Sequence, residues 1–333
     1  MTFTIPEEEI ATFLSQLQAA SMAHSSTSEI ERLYRSHCHC IIPDRAADAI
    51  SNSLIEALQA KVTMSVIRIG DGEANLLTYR HYPGTPQLDR YCAEAIIAAQ
   101  EDRFIPSDEW LIKIRQAFHD AVIDADIIGV RGVERWSKLA MSSQETLDVL
   151  REKFLAQIRG TQGLMRSEYH MLKMANLGLL HGKVITSAHL YFGILKNIRR
   201  LLAAAPRIVL ISSRMELPSI LSGIVPQTPI SLIPVGRARS RSQAQPSSSA
   251  PLPDRPDFLD ETSHHILRLG SEMRGALCMI GAGPWSELYC RQAKEAGAVA
   301  VDVGSGLDLL CGAKIRPVHH KVREYLPNWP AIE

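Results

Sequence analysis

The chain has 333 residues, enough for one large domain or two modest ones. Hydrophobic residues make up 46% and charged residues 22%, so a sizeable core can form; Lys plus Arg equals Asp plus Glu at 36 each. Zero formal net charge excludes a long-range pull toward nucleic acid, so an anionic ligand has to be held by local groups.

Pro6 followed by Glu7, Glu8 and Glu9 is a good helix start, because acids favour the positive end of the helix dipole. Met1 to Ile10 lacks a basic segment followed by an apolar stretch, which argues against a secretory leader. No apolar run reaches the roughly 18 residues of a membrane span. The spacing of Cys38, Cys40, Cys92, Cys278, Cys290 and Cys311 matches neither a zinc site nor a disulfide framework. His37-Cys-His-Cys40 is too tightly spaced for one tetrahedral ion. Reduced thiols in a cytoplasmic protein are the expectation.

Residues 1–60 read as a helical extension, with helices from Pro6 and over 45–60. Met64-Ser-Val-Ile-Arg-Ile69 is short, β-branched and ended by Gly70, the pattern of a buried strand. Further strands are expected at 126–130, 183–186, 207–212, 229–235, 276–280 and 298–303. Helices are expected near 108–121, 144–158, 167–180, 188–203, 262–274 and 285–296. This alternation predicts an α/β, Rossmann-like fold: a mostly parallel sheet with helices on both faces, plus the N-terminal extension. The expected division is a catalytic domain over 61–318 and a tail over 319–333. Residues 237–256, rich in Ser, Pro and Arg, bury too little apolar surface to offset their ordering entropy; they are expected to form a surface loop, either a tolerated insertion or a basic lid.

Three constellations follow strands, where parallel sheets bind ligands. In Arg68-Ile-Gly70-Asp71-Gly72-Glu73 the glycines allow a sharp turn and close approach, and in such a turn two carboxylates can converge on one hard cation. Arg68 offers a planar fork to phosphate or carboxylate. Gly281-Ala-Gly283-Pro284 presents backbone N–H groups at a strand-to-helix turn. Asp302-Val-Gly304-Ser-Gly-Leu-Asp308 ends the last strand; Asp302 is a candidate metal ligand, ribose partner or base, and Asp308 a turn residue. Ser187, His189 and Arg214 lie just after two middle strands; Ser187 and Arg214 are candidate ligand contacts, and His189 is a candidate base or phosphate ligand.

In this order the motifs resemble the GT-D-fold glycosyltransferase family, over about residues 62 to 310. Its members carry an Arg-x-Gly-Asp-Gly-Glu segment after the first core strand and a closing Gly-Pro turn, helix and Asp-x-Gly. The resemblance implies a nucleotide-diphospho-sugar donor, expected to be a UDP-sugar, and a glycan, polysaccharide or protein-linked acceptor. It also implies a manganese or magnesium ion held by Asp71 and Glu73 against the diphosphate, with Arg68 in support. Family members often continue with Gly-His-x-Asp, where this chain has Gly304-Ser-Gly-Leu-Asp308 without a histidine. Two other classes stand beside this reading: a non-catalytic nucleotide-binding module, and an S-adenosylmethionine or dinucleotide enzyme built on Gly281 and Gly283.

Overall fold

A computed structural model of the chain describes residues 6–24, 45–81, 83–100, 106–130, 177–235, 258–314, 316, 319 and 320, with Gly163, Arg166, Ser167, His170, Met171, Lys173 and Met174. Seven strands, β1 (Met64–Ile69), β2 (Ile127–Val130), β3 (Val184–Ser187), β4 (Ile208–Ser212), β5 (Ile230–Pro234), β6 (Leu277–Gly281) and β7 (Val299–Asp302), form one parallel sheet in the order β3-β2-β1-β7-β6-β4-β5. Every residue of β2, β4 and β7 is buried. Strands covered on both faces carry continuous apolar runs rather than alternation, which is why these segments read as strands. β5 is an edge strand, only partly buried and ending in Pro234, which an edge tolerates. All seven expected strands form.

Helices among the described residues include α1 (Glu7–His24), α2 (Arg45–Ala60), α3 (Asp71–Leu77), α4 (Pro86–Gln100), α5 (Asp108–Asp124), α6 (Tyr191–Lys196), α7 (Ile198–Ala204), α8 (Leu217–Ile224), α9 (Phe258–Leu269), α10 (Ser286–Glu295) and α11 (Gly306–Leu310). The expected helix over 188–203 is two helices, broken at Asn197, whose Nδ2 donates to Asp48 at 2.8 Å and to the Gly193 carbonyl at 3.2 Å. The one expected over 262–274 starts earlier and ends in a 3-10 turn over Gly270–Met273. α4, α8 and α11 were not expected. The expected helix over 144–158, the 237–256 segment, Cys38 and Cys40 lie outside the described residues. Among the described residues no helix is long and apolar enough to cross a membrane.

The chain divides into two compact units. The first draws on Met1–Cys38, Arg68–Ile123 and Ile128–Ala188. Here α1 supplies a cap for α4: the buried Glu9 carboxylate accepts from the backbone N–H of Leu88 at 2.8 Å and of Gln87 at 3.4 Å. The first unit also holds a fully buried ion pair, Arg166 with Asp89. Arg166 lies over the Phe13 ring at 5.5 Å, and burial pushes the Asp89 carboxyl up against the pull of the guanidinium. Removing one partner of such a pair costs about 3–5 kcal/mol, because the other is left charged and dry. The second unit draws on His39–Ile67, Asp124–Ile127 and His189–Glu333. Its core is β4, β6 and β7, in register from Ile208↔Leu277 and Leu277↔Val299. Asp126 ties it together, accepting from Ser65 N at 2.7 Å and Lys294 Nζ at 2.8 Å.

His81, His119 and His170 cluster in the first unit, with ring centroids 5.7 Å and 6.1 Å from His170. Burial, then the charge of Lys173 and Arg115, brings His81 down to about 4; burial, then His81 and His119, brings His170 to about 3. Both values lie below the ordinary 6.5, so the unfolded chain binds more protons than the folded one across that interval. The stabilisation is complete above pH 6.5 and is lost as pH falls toward 4 and then 3. Thermal melts should therefore show a falling midpoint from pH 6.5 to 4.5, and His170→Phe should flatten part of that fall. A slope unchanged by the substitution would contradict this account.

Candidate functional site

β1 ends at Ile69, and α3 starts at Asp71 rather than after a turn. The acid pair therefore sits at the first and third positions of a helix. Side chains two apart on a helix do not share a face, so spacing alone does not make these carboxylates converge. Glu73 folds back over the start of the helix, and a Cβ on Gly70 would lie 2.5 Å from its Oε2. Gly70 is extended (φ −88°, ψ −167°) and Gly72 has no positive φ, so neither glycine makes the sharp turn that the sequence suggested. A side chain at residue 70 would displace the carboxylate end of Glu73 from this position. At Gly72 an added Cβ would meet only Ile96 Cδ1, at an ordinary 3.5 Å.

The start of α3 is pinned from behind. A Cβ on Gly163 would come within 2.6 Å of Asp71 Cα, so the two backbones are in direct contact. Arg68, half-buried on β1, donates from Nη1 to the Ala188 carbonyl at 3.2 Å. The guanidinium thus reaches the turn after β3, where Ser187 is buried. Arg68, Gly70, Asp71, Gly72, Glu73 and Ser187 all belong to the first unit.

Among the described residues no three His, Cys, Asp or Glu side chains are arranged to hold a metal ion. Magnesium-like ions are commonly held by one or two carboxylates and complete their shell with water and ligand phosphate oxygens, and the donors Asp71 and Glu73 are hard oxygens of that type.

The remaining candidates lie in the second unit. Asp302 closes β7 and is only 1% exposed. His189 is half-buried and stacks on Phe192 at 6.4 Å. Arg214 directs Nε and Nη2 at Asp308 Oδ1, both at 2.6 Å, so its fork is engaged by a carboxylate of the same unit. Burial raises the Asp308 carboxyl against the pull of Arg214. Gly281 is a close-approach position: a Cβ there would lie 3.0 Å from the Gly304 carbonyl and 2.9 Å from Leu307 Cδ1. Gly304 (φ 50°) and Val303 both donate their N–H to the Ile280 carbonyl at 2.9 Å. The Gly283-Pro284 turn is closed by Ser286, whose hydroxyl donates to the Gly283 carbonyl and accepts from Ala282 N, each at 3.0 Å.

Two groups escaped the sequence reading. His319, assigned there to the tail, is fully buried with Nε2 3.2 Å from Ser305 Oγ. It reaches the turn that has no histidine of its own. Burial and Arg316 bring its pKa down to about 4, against an opposing pull from the Ala313 backbone. The other is Arg166 with its buried partners. Neither carried a local signal, since each acts through a contact distant in sequence.

No family model and no curated protein matches the chain. Two solved structures are similar to it. One is described as a selenomethionine-substituted domain of unknown function 1792 (DUF1792), the other as the highly conserved domain of unknown function 1792 with a distinct glycosyltransferase fold. Each is 11% identical, with a TM-score of 0.35, over 79% of this chain and 86% of the other.

The two glycines of the acid segment should respond in opposite ways. Gly72→Ala adds a good helix former without a clash and should stabilise the chain by about 0.5–1 kcal/mol in denaturant titration. Gly70→Ala must displace the Glu73 carboxylate and should weaken manganese binding, read by electron paramagnetic resonance of free Mn2+. Equal manganese affinities in Gly70→Ala and the unsubstituted chain would contradict the role given to that space.

Proposed function

We propose that this chain is a metal-dependent glycosyltransferase. It moves a sugar from a nucleotide-diphospho-sugar, with UDP as the nucleotide, to a glycan, polysaccharide or protein-linked acceptor. The observation that carries the reading is the acid pair that opens α3, with the Glu73 carboxylate folded over Gly70 at the end of β1. Asp71 and Glu73 would hold manganese or magnesium. When bound, that ion supplies Lewis-acid stabilisation of the charge that develops on the departing diphosphate.

The protein's own groups do the rest. Arg68, anchored on the Ala188 carbonyl, would offer its positive charge to the donor phosphates. Ser187, the last residue of β3, is assigned to donor binding. In the second unit, Gly281, Gly283, Pro284 and Gly304 are assigned to the nucleotide-sugar, as backbone that ligand atoms can approach closely. Arg214 joins them only if a phosphate competes with Asp308 for its fork. His189 and Asp302 are the proposed acid–base groups; half-exposed His189 is the better placed to meet a hydroxyl, because Asp302 is buried. A cytoplasmic setting, with the cysteines as reduced thiols, completes the proposal.

Calorimetric titration of the full chain with UDP tests the reading. Binding should require manganese or magnesium. Asp71→Asn and Glu73→Gln should each weaken it at least about tenfold, equivalent to about 1.4 kcal/mol. Metal-independent UDP binding that survives both substitutions would leave only a nucleotide-binding module.

A further inference from the structure

α3 is too short to be stable alone, and Gly70 at its N-cap position has no side chain with which to cap it. Tertiary contacts therefore contribute to its placement. Gly163, Arg166, Ser167, His170, Met171 and Met174 are helical and buried, at spacings that put them on one helical face. Gly163 contacts the backbone of Asp71, at the start of α3. Arg166 donates from Nη1 to Thr78 Oγ1 at 3.2 Å, just past the end of α3, and the Thr78 hydroxyl donates onward to the Ala74 carbonyl at 2.6 Å. Asp89 holds Arg166 from the far side and also accepts from Thr85 at 3.4 Å. A chain of buried polar contacts thus runs from α4 through Asp89, Arg166 and Thr78 into α3.

We propose that Arg166, held by Asp89, is a positioning residue for the Asp71/Glu73 cation site. It fixes the far end of α3 through Thr78, while Gly163 on the same face fixes the near end. The inference rests on the metal-dependent reading above. Arg166 does not touch the cation or the substrate. It acts as outer partners of metal ligands do, by holding the ligand-bearing segment in one orientation, and loss of such partners typically lowers metal affinity or activity roughly 10- to 100-fold.

Stability and position can be separated here. A buried ion pair is often replaceable by apolar residues of similar volume without loss of stability, whereas the link to Thr78 is lost with the guanidinium. The decisive variant is therefore the double substitution Arg166→Met with Asp89→Leu in the full chain. It is compared with Arg166→Lys, which keeps the charge but loses the planar fork. Two quantities are measured on each protein: the thermal midpoint, and UDP affinity by calorimetry in saturating MnCl2.

The double variant should melt close to the unsubstituted chain yet bind UDP roughly tenfold more weakly or worse, with Arg166→Lys in between. Should the double variant fail to fold, Thr78→Val decides instead: it cuts the link, leaves the ion pair, and should show the same loss of affinity. Unchanged affinity in a folded variant overturns the positioning role while leaving the acid-pair reading intact. If the unsubstituted chain shows no manganese-dependent UDP binding, the reading and the inference fall together.

Discussion

The missing side chain at Gly70 is the constraint on which the candidate site depends. Asp71 and Glu73 occupy the first and third positions of α3, and helix geometry would send their side chains to different faces. Only because residue 70 has no Cβ can the Glu73 carboxylate lie back over the end of β1. A second glycine serves the same end from another segment. Gly163 lets one backbone lie directly on another at Asp71, so the first acid is placed by main-chain contact. Two side-chain-free positions thus decide where the two acids lie.

Burial sorts the remaining candidates by what is already engaged within the fold. Arg214 has its fork on Asp308, and Asp302 sits inside the second unit. Residues of these types can serve a ligand only by giving up, or working through, contacts that they already make. Glu73, Asp71 and His189 retain partial exposure, and Arg68 is half-buried with Nη1 on the Ala188 carbonyl. That difference gives the end of β1 the leading role. It also explains why the first unit carries a buried, costly ion pair behind that segment: charges placed in a dry interior stay ionised only in a fixed geometry, so Arg166 and Asp89 tolerate little movement of what they hold.

Much of the sheet was legible in the sequence. Strands buried on both faces must be written as short continuous apolar runs, and Ile208–Ser212 or Val299–Asp302 can hardly be anything else. The strand ends were legible too, because Gly70 and Gly304 punctuate them. α4 was not: its buried face includes Cys92 and Ala93 beside Leu88, Ile96 and Ile97, and small residues dilute the helical period. The break at Asn197 was hidden because its cause, Asp48, lies 149 residues away in sequence. The candidate site was half legible. Composition and spacing pointed to Asp71 and Glu73 but suggested a turn where a helix begins. Arg166 and His319 carried no local signal, because what buries each of them is assembled only by the fold.

The central claim is that Asp71 and Glu73 hold a cation that a diphosphate shares. Phosphorus-31 relaxation of UDP in the presence of the protein and Mn2+ reads that sharing directly, because a paramagnetic ion bonded to phosphate oxygens relaxes both phosphorus nuclei strongly. The account predicts a large enhancement with the unsubstituted chain that collapses in Glu73→Gln. The same enhancement in both proteins would contradict it.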